Sequence, residues 1–369
     1  MGNGPPSIVV TGISGNLGRR LLPLLGGFRV VGVDFRPPVT DQPLQFEQMD
    51  LGEEASCLQF IQLMREVRPV AVLHLAFVLD AVRTDVLDRD RMWKINVAGT
   101  ARVMEAITEA NRDWPMIEKF IFLSSVSAYG PNLSKLATEE TPLAAHTYVY
   151  GVHKMEADRV VQQRAPALRG CSVYILRPHI FAGASVDNYF MEGFRGIPGG
   201  TSARAAKLRE KGTRLPCMLP SGKQYLQNRL QFIHIDDIAR VIAFILKKTD
   251  PEAQRLTIMN VAGRGQPLTY EECIQMAHAK LVRVPSEKLF SLVLLFLWKM
   301  KISTIPPDIA PYMTSDSLMD TLRLAEFLGV EYTNVIRYST AEAFADCFKA
   351  AAKEKKETAI KASSAPTTI

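Results

Sequence analysis

The sequence predicts an α/β fold built on a doubly wound parallel sheet. Three observations carry that expectation: strand-length apolar runs that alternate with helix-period segments, a glycine turn directly behind the first run, and an acid closing the second. The strand runs are Ile8–Val10, Val30–Val33, Leu44–Met49, Val70–Leu75, Phe120–Leu123 and Cys171–Leu176, with a later one at Leu256–Met259. Helix-period segments lie near Asn16–Leu25, Glu54–Val67, Met92–Ala110 and Tyr148–Gln163, and after a Gly/Pro/basic stretch (Gly183–Gln231) near Asp236–Lys247, Tyr270–Lys280, Lys288–Lys299 and Thr340–Ala352. No internal repeat is visible. In such a sheet, ligands belong at the carboxyl ends of the strands.

The glycine turn reads Thr11-Gly12-Ile13-Ser14-Gly15-Asn16-Leu17-Gly18. Gly12 suits the tight turn, Gly15 lets backbone approach a pyrophosphate, and Gly18 lets the helix pack closely on the strand while its N-terminal N–H groups face the anion. Asp34 follows 22 residues after Gly12, where the ribose-binding acid of a dinucleotide site is expected. A carboxylate there accepts hydrogen bonds from both ribose hydroxyls and repels a 2′-phosphate, so NAD is favoured over NADP, with Arg19 and Arg36 leaving some room for the latter.

The 369 residues suffice for a large core, in one big α/β domain or two unequal ones. The net charge of +6, from 44 basic against 38 acidic residues spread along the chain, points away from nucleic acid. Five cysteines without a close pair fit neither a disulfide framework nor a zinc site, and suggest a reducing, cytoplasmic setting. The N-terminus has no signal-peptide pattern, and Pro6 breaks the myristoylation pattern. The apolar run Leu289–Trp298 is too short to span a bilayer and is expected as a buried helix. His234, Asp236 and Asp237 superficially resemble a metal cluster, but Asp236 or Asp237 as a helix N-cap is the expectation, with no metal. Residues 353–369 read as a flexible tail.

Ser124-Ser125-Val126-Ser127 follows the fifth strand run, which places its hydroxyls at a carboxyl end. Tyr150 and Lys154 lie four apart on the next helix, one turn on the same face. A free phenol, with a pKa of about 10, is a poor base at neutral pH, and a neighbouring ammonium favours its ionised form. Ser125 is placed to hydrogen-bond the same substrate oxygen. The triad Ser125, Tyr150 and Lys154 therefore fits proton exchange with a secondary alcohol during hydride transfer.

With these motifs the chain resembles the extended short-chain dehydrogenase/reductase superfamily, and within it the NAD-dependent epimerase/dehydratase group, over about residues 7 to 335. Further residues that carry the resemblance are Asp50-Leu51, His74-Leu75-Ala76, Asn96-Val97-Ala98-Gly99-Thr100, Leu176-Arg177-Pro178, Phe232-Ile233-His234-Ile235-Asp236-Asp237 and Asn260-Val261-Ala262-Gly263. The resemblance implies a Rossmann domain over 1–180, a smaller substrate-binding lobe over 181–350 with segments returning to the Rossmann core, and a possible homodimer through the Met92–Ala110 and Tyr148–Gln163 helices. It also implies cofactor contacts for Gly12, Gly15, Asn16, Leu17, Gly18, Asp34, Asp50, Leu51, Leu75, Ala76, Asn96, Tyr150, Lys154, Pro178 and His179. Asp50 and Leu51 would flank the adenine, Leu75 and Ala76 the pyrophosphate and nicotinamide ribose, and Pro178 and His179 the nicotinamide face. Asn96 would support the active site, and for Asn96 and His74 a purely local structural role is the alternative.

Family dehydratases carry an Asp-Glu pair where this chain has Val126 and Ser127, so elimination of water is not expected. Ile180 and Leu230 stand where the family's sugar-nucleotide epimerases place an Asn and an Arg for the diphosphate. Arg195, Arg204, Lys207, Arg214, Lys223 and Arg229 offer other cations, or form a solvated basic loop. The small-molecule substrate thus reads as a nucleotide-activated sugar to be epimerised. The alternatives are net oxidation or reduction of a hydrophobic alcohol of the 3β-hydroxysteroid type, or a silent dinucleotide sensor.

Overall fold

The computed structural model describes residues 4–79, 88–112, 117–133, 135–249 and 256–349, so the expected tail at 353–369 lies outside the described residues. Its centre is a seven-stranded sheet containing β1 (Ser7–Thr11), β2 (Arg29–Asp34), β3 (Gln45–Gln48), β4 (Ala71–His74), β5 (Lys119–Leu123), β6 (Ser172–Pro178) and a last strand, Leu256–Val261. All pairings are parallel, and the spatial order is Leu256–Val261, β6, β5, β4, β1, β2, β3. The order reverses between β1 and β4, which opens a crevice at their carboxyl ends.

Both faces of the sheet are covered, so its strands are apolar on both sides. Ile8, Val10, Leu73, Ile121 and Leu176 face the layer formed by helices Asn16–Leu21, Ile235–Lys247 and Leu322–Leu328. Val9, Val72, Phe120, Phe122 and Ile175 face helices Ser56–Val67, Gly99–Ala110 and Val149–Arg164. This two-way burial is why continuous apolar runs locate the strands.

Several elements differ from the expectation. The first helix ends at Leu21 and passes into a 3₁₀ turn at Leu22–Leu24, because Pro23 has no N–H to continue the ladder. The Met92–Ala110 segment is a helix at Arg89–Trp93, a π-helical turn at Lys94–Ala98 and a helix at Gly99–Ala110, and the π turn carries Asn96. The Gly183–Gln231 stretch contains helices at Tyr189–Arg195 and Ala203–Glu210 and a strand, Cys217–Pro220, paired with Leu281–Val284. The final helix runs over 340–349, and Ala350–Ala352 of the expected span lie outside the described residues.

Two expectations are corrected. The helix Glu287–Lys299 is only half buried: Phe290 and Leu294 face inward, whereas Leu289, Leu292 and Phe296 are exposed. An unbroken apolar run covers every face of a helix, so one stripe remains outside when only one side is packed. The N-cap of Ile235–Lys247 is His234, not Asp236 or Asp237. Its ring stacks on Tyr338 with centroids 3.9 Å apart, and its Nδ1 accepts from the Asp236 N–H at 3.2 Å. That frees Asp236 to pair with Arg20, while Asp237 turns inward to accept from the N–H groups of Arg337 (3.1 Å) and Tyr338 (3.0 Å).

Gly12 has φ +74°, and a Cβ there would stand 2.5 Å from the backbone nitrogen of Ala76. Gly12→Ala therefore meets both a disfavoured conformation and an immovable neighbour. It should lower the unfolding free energy of the cofactor-free protein by roughly 2–3 kcal/mol, measured by urea denaturation.

Candidate active site

A cavity of about 310 Å³ lies at the crevice and is lined by Gly12, Gly15, Asn16, Leu17 and Gly18 at one end, and by Ser125, Tyr150 and Lys154 further along. Its walls include Leu75, Phe77, Pro178, His179, Tyr148, Tyr189 and Tyr312. The glycine loop is shaped by contact. A Cβ on Gly18 would stand 2.3 Å from the Ile13 carbonyl oxygen, and the Gly12 N–H donates to Val33 O at 2.8 Å. Asp34, at the end of β2, accepts from the Ser14 N–H at 3.0 Å and the Phe35 N–H at 2.7 Å, which fixes its carboxylate beside the loop. The backbone cradle and this adjacent acid fit a dinucleotide.

Ser125 follows β5 in extended conformation (φ −164°) and its hydroxyl accepts from the Ser127 N–H at 3.1 Å. Tyr150 and Lys154 project from Val149–Arg164. Burial pushes the Tyr150 phenol up to about 12, and the Ser125 hydroxyl pulls against that rise. Lys154 donates from Nζ to Leu123 O at 2.5 Å and lies 3.5 Å from the centre of the Phe77 ring and 5.8 Å from that of Tyr150. Burial drives its pKa well down, and Asp158 acts in the opposite direction. The ammonium thus shares the helix face of the phenol, with Phe77 lying edge-on to Tyr150 at 5.6 Å.

The other residues named from sequence divide into two groups. Leu75, Pro178 and His179 line the cavity. Asp50, Leu51, Ala76 and Asn96 support it from behind. Asp50 pairs with Arg91 and accepts from the Gly52 N–H at 2.8 Å, and Leu51 is buried against Gly99. The Ala76 N–H donates to Thr11 Oγ1 at 3.4 Å. Asn96 clamps the loop after β4 by accepting from the Val78 N–H (2.7 Å) and donating to Val78 O (3.0 Å). His74 is fully buried between Thr11 Oγ1 (2.7 Å) and Thr100 Oγ1 (2.9 Å), the local role that sequence left open.

Sequence reasoning missed the aromatic wall and the hydrogen bond from Ser124 Oγ to Asp158 at 2.6 Å beside the site. The Asp158 signal was present: it stands four residues after Lys154, on the same helical face. The wall gave no signal, because Tyr148, Tyr189 and Tyr312 meet only in the fold, their rings lying 5.7 to 6.2 Å apart in the Tyr148–Tyr312 and Tyr148–Tyr189 pairs. Among the described residues, no three of His, Cys, Asp and Glu converge as metal ligands, and all five cysteines are unpaired. None of the described helices is long and apolar enough to cross a membrane.

Residues 8–262, more than half of the chain, match the family model for the NAD dependent epimerase/dehydratase family. The chain belongs to that family. This is the family whose resemblance the motifs carried. An uncharacterized epimerase/dehydratase of Staphylococcus aureus (strain USA300) is 26% identical over 164 residues, 42% of this chain and 47% of that protein, so the match spans about half the length of such curated relatives. Among solved structures, MoeE5 in complex with UDP-glucuronic acid and NAD is 20% identical, with a TM-score of 0.63 over 94% of this chain and 99% of that one. UDP-glucose 4-epimerase of Thermus thermophilus, in complex with NAD, is 18% identical, with a TM-score of 0.64 over the same shares, 94% and 99%. These two establish likeness of fold.

Two buried histidines give the fold a pH dependence. Burial lowers His74 to about 3 and His179 to about 4, against an ordinary 6.5. The unfolded chain therefore binds more protons than the fold between these values, so their stability contribution is complete above about pH 6.5 and is lost as pH falls toward 4 and 3. His179→Gln should flatten the fall of the urea midpoint between pH 6.5 and 4, and an unchanged slope would show that His179 is not responsible.

Proposed function

We propose that the protein exchanges hydride at a secondary alcohol carbon through Ser125, Tyr150 and Lys154, and that it thereby epimerises a nucleotide-activated sugar. The observation that carries the chemistry is the opening of the glycine loop and these three side chains into one cavity. When bound, NAD supplies the hydride acceptor and donor. Gly12, Gly15, Asn16, Leu17 and Gly18 would hold its pyrophosphate, Asp34 its adenosine ribose, and Lys154 the nicotinamide ribose. Asp50 and Leu51 would flank the adenine, with Leu75, Ala76, Asn96, Pro178 and His179 shaping the remainder.

The ionised Tyr150 phenol would take the substrate hydroxyl proton as the carbon is oxidised and the resulting neutral phenol would return it as the carbon is reduced, while Ser125 holds the oxygen in place. Val126 and Ser127, at the positions of the dehydratase Asp-Glu pair, favour epimerisation over elimination. The UDP-glucuronic acid named with MoeE5 supports a sugar nucleotide.

A specific observation favours a second reading, net oxidation or reduction of a hydrophobic secondary alcohol. Leu230 is buried in the core, Arg229 is paired with Asp316 at 2.9 Å, and Arg195 is bound to the Val186 and Cys347 carbonyls. These cations are committed, and the far cavity wall is aromatic. Incubation with UDP-glucose and with a 3β-hydroxysteroid separates the readings. Epimer formation without net reduced nicotinamide supports the first, net absorbance at the nicotinamide band with the steroid supports the second, and neither signal refutes both substrates.

Tyr150→Phe should bind NAD nearly as the wild type does yet lower turnover by roughly 10²–10⁴-fold, since only the proton-exchanging hydroxyl is removed. Retained activity would exclude Tyr150 as the acid/base. Asp34→Ala should weaken NAD binding and abolish a preference for NAD over NADP, both read by calorimetry. Equal wild-type affinities for the two cofactors would contradict the role given to Asp34.

A further inference from the structure

Asp158 is fully buried one turn beyond Lys154, and its carboxylate accepts hydrogen bonds from Ser124, Arg177 and Gln162. Ser124 Oγ donates to Oδ2 at 2.6 Å, Arg177 donates to both oxygens at 2.9 and 3.1 Å, and Gln162 Nε2 donates to Oδ1 at 2.7 Å. Arg177 is itself held from its other side by the Tyr129 hydroxyl (2.9 Å) and Glu139 O (3.0 Å). The carboxylate therefore has little freedom to move.

Two rungs join the end of β5 to the helix of Tyr150. Lys154 Nζ reaches Leu123 O, and on the next residue Ser124 Oγ reaches Asp158. Ser125 is the residue after that. The rungs thus fix the strand that carries Ser125 against the helix that carries Tyr150 and Lys154. We propose that Asp158 and Ser124 are positioning residues for the reaction, Asp158 acting through Lys154 and Ser124 through Ser125; this rests on the hydride-transfer reading above.

A purely structural ion pair would serve equally well as a well-packed apolar pair. Here the surroundings of Lys154 make the charge matter. Its own helix contributes Tyr150 and Asp158, the segment at and after β4 contributes neutral His74 and the Phe77 ring, and β5 contributes the Leu123 carbonyl and the Phe122 ring. On β6, Arg177 lies behind Asp158. Asp158 opposes the effect of burial on the ammonium. Its neutralisation should make Lys154 lose its proton at lower pH, so activity that needs the ammonium is lost earlier on the alkaline side.

The test uses the 369-residue chain, loaded with NAD and carrying ¹³C-labelled lysine and tyrosine, with signals assigned through Lys154→Arg and Tyr150→Phe. Asp158→Asn should lower the Lys154 titration midpoint by about half a pH unit or more, and Asp158→Glu should restore it. Ser124→Ala leaves Asp158 its Arg177 partner. It should raise the Tyr150 midpoint, as Ser125 loosens, and lower UDP-glucose turnover about tenfold, with a melting temperature close to wild type. Unmoved midpoints in both variants would overturn the proposal, and if Asp158→Asn does not fold, an unmoved Tyr150 midpoint in Ser124→Ala overturns it alone. If wild-type protein does not turn over UDP-glucose, the substrate reading fails while the midpoints still decide the roles of Asp158 and Ser124.

Discussion

The contact between the turn after β1 and the segment after β4 is the constraint on which the site depends. Strand order reverses between these neighbours, so their connections leave in opposite directions and open a crevice. Yet the two backbones must touch at its floor, with Gly12 against Ala76. Any side chain at position 12 would wedge the two segments apart. From that contact follow the placement of Asp34, whose strand accepts the Gly12 N–H, and of Leu75 and Phe77 on the cavity wall.

Around this floor the fold removes titratable groups from water, and each is handled differently. His74 and His179 are kept neutral, one between two threonine hydroxyls and the other between the Ser317 carbonyl and the Ile180 N–H. Arg177 and Asp158 form a doubly hydrogen-bonded pair, which offsets much of the desolvation cost of burying them. Lys154 is the unusual case, for its immediate contacts are a carbonyl and a phenyl face. An ammonium in that setting gains from any further acceptor brought to it, and a ribose hydroxyl is one.

Much of this was legible in the sequence. The seven strand runs, the glycine loop, Asp34 and the Tyr150–Lys154 spacing are local patterns, and local patterns survive without tertiary knowledge. The cap of Ile235–Lys247 was not legible, because the choice of His234 over Asp236 depends on Tyr338, about a hundred residues away, stacking on its ring. The elements within Gly183–Gln231 were missed because they are short and their apolar faces pack against remote partners such as Phe344 and Tyr270. The apolar run at Leu289–Trp298 showed that a helix forms there, but not which side would be covered.

The division of labour along the chain follows from the same geometry. The residues matched by the family model, 8–262, include the glycine loop, Ser125, Tyr150 and Lys154. On the proposed function, hydride and proton exchange would fix the distances among these groups to fractions of an ångström, which leaves little room for sequence change. Ile309, Tyr312 and Ser317 also line the cavity, but they lie beyond the matched region. Tyr312 reaches back to donate to Ser127 O at 3.1 Å and packs against Tyr148, the N-cap residue of the helix Val149–Arg164. A wall that only has to match the shape and polarity of a substrate body tolerates far more variation than the reacting centre. On the proposed function, part of the substrate contact is thus made by a segment outside the family pattern, and that segment is anchored to the loop after Ser125.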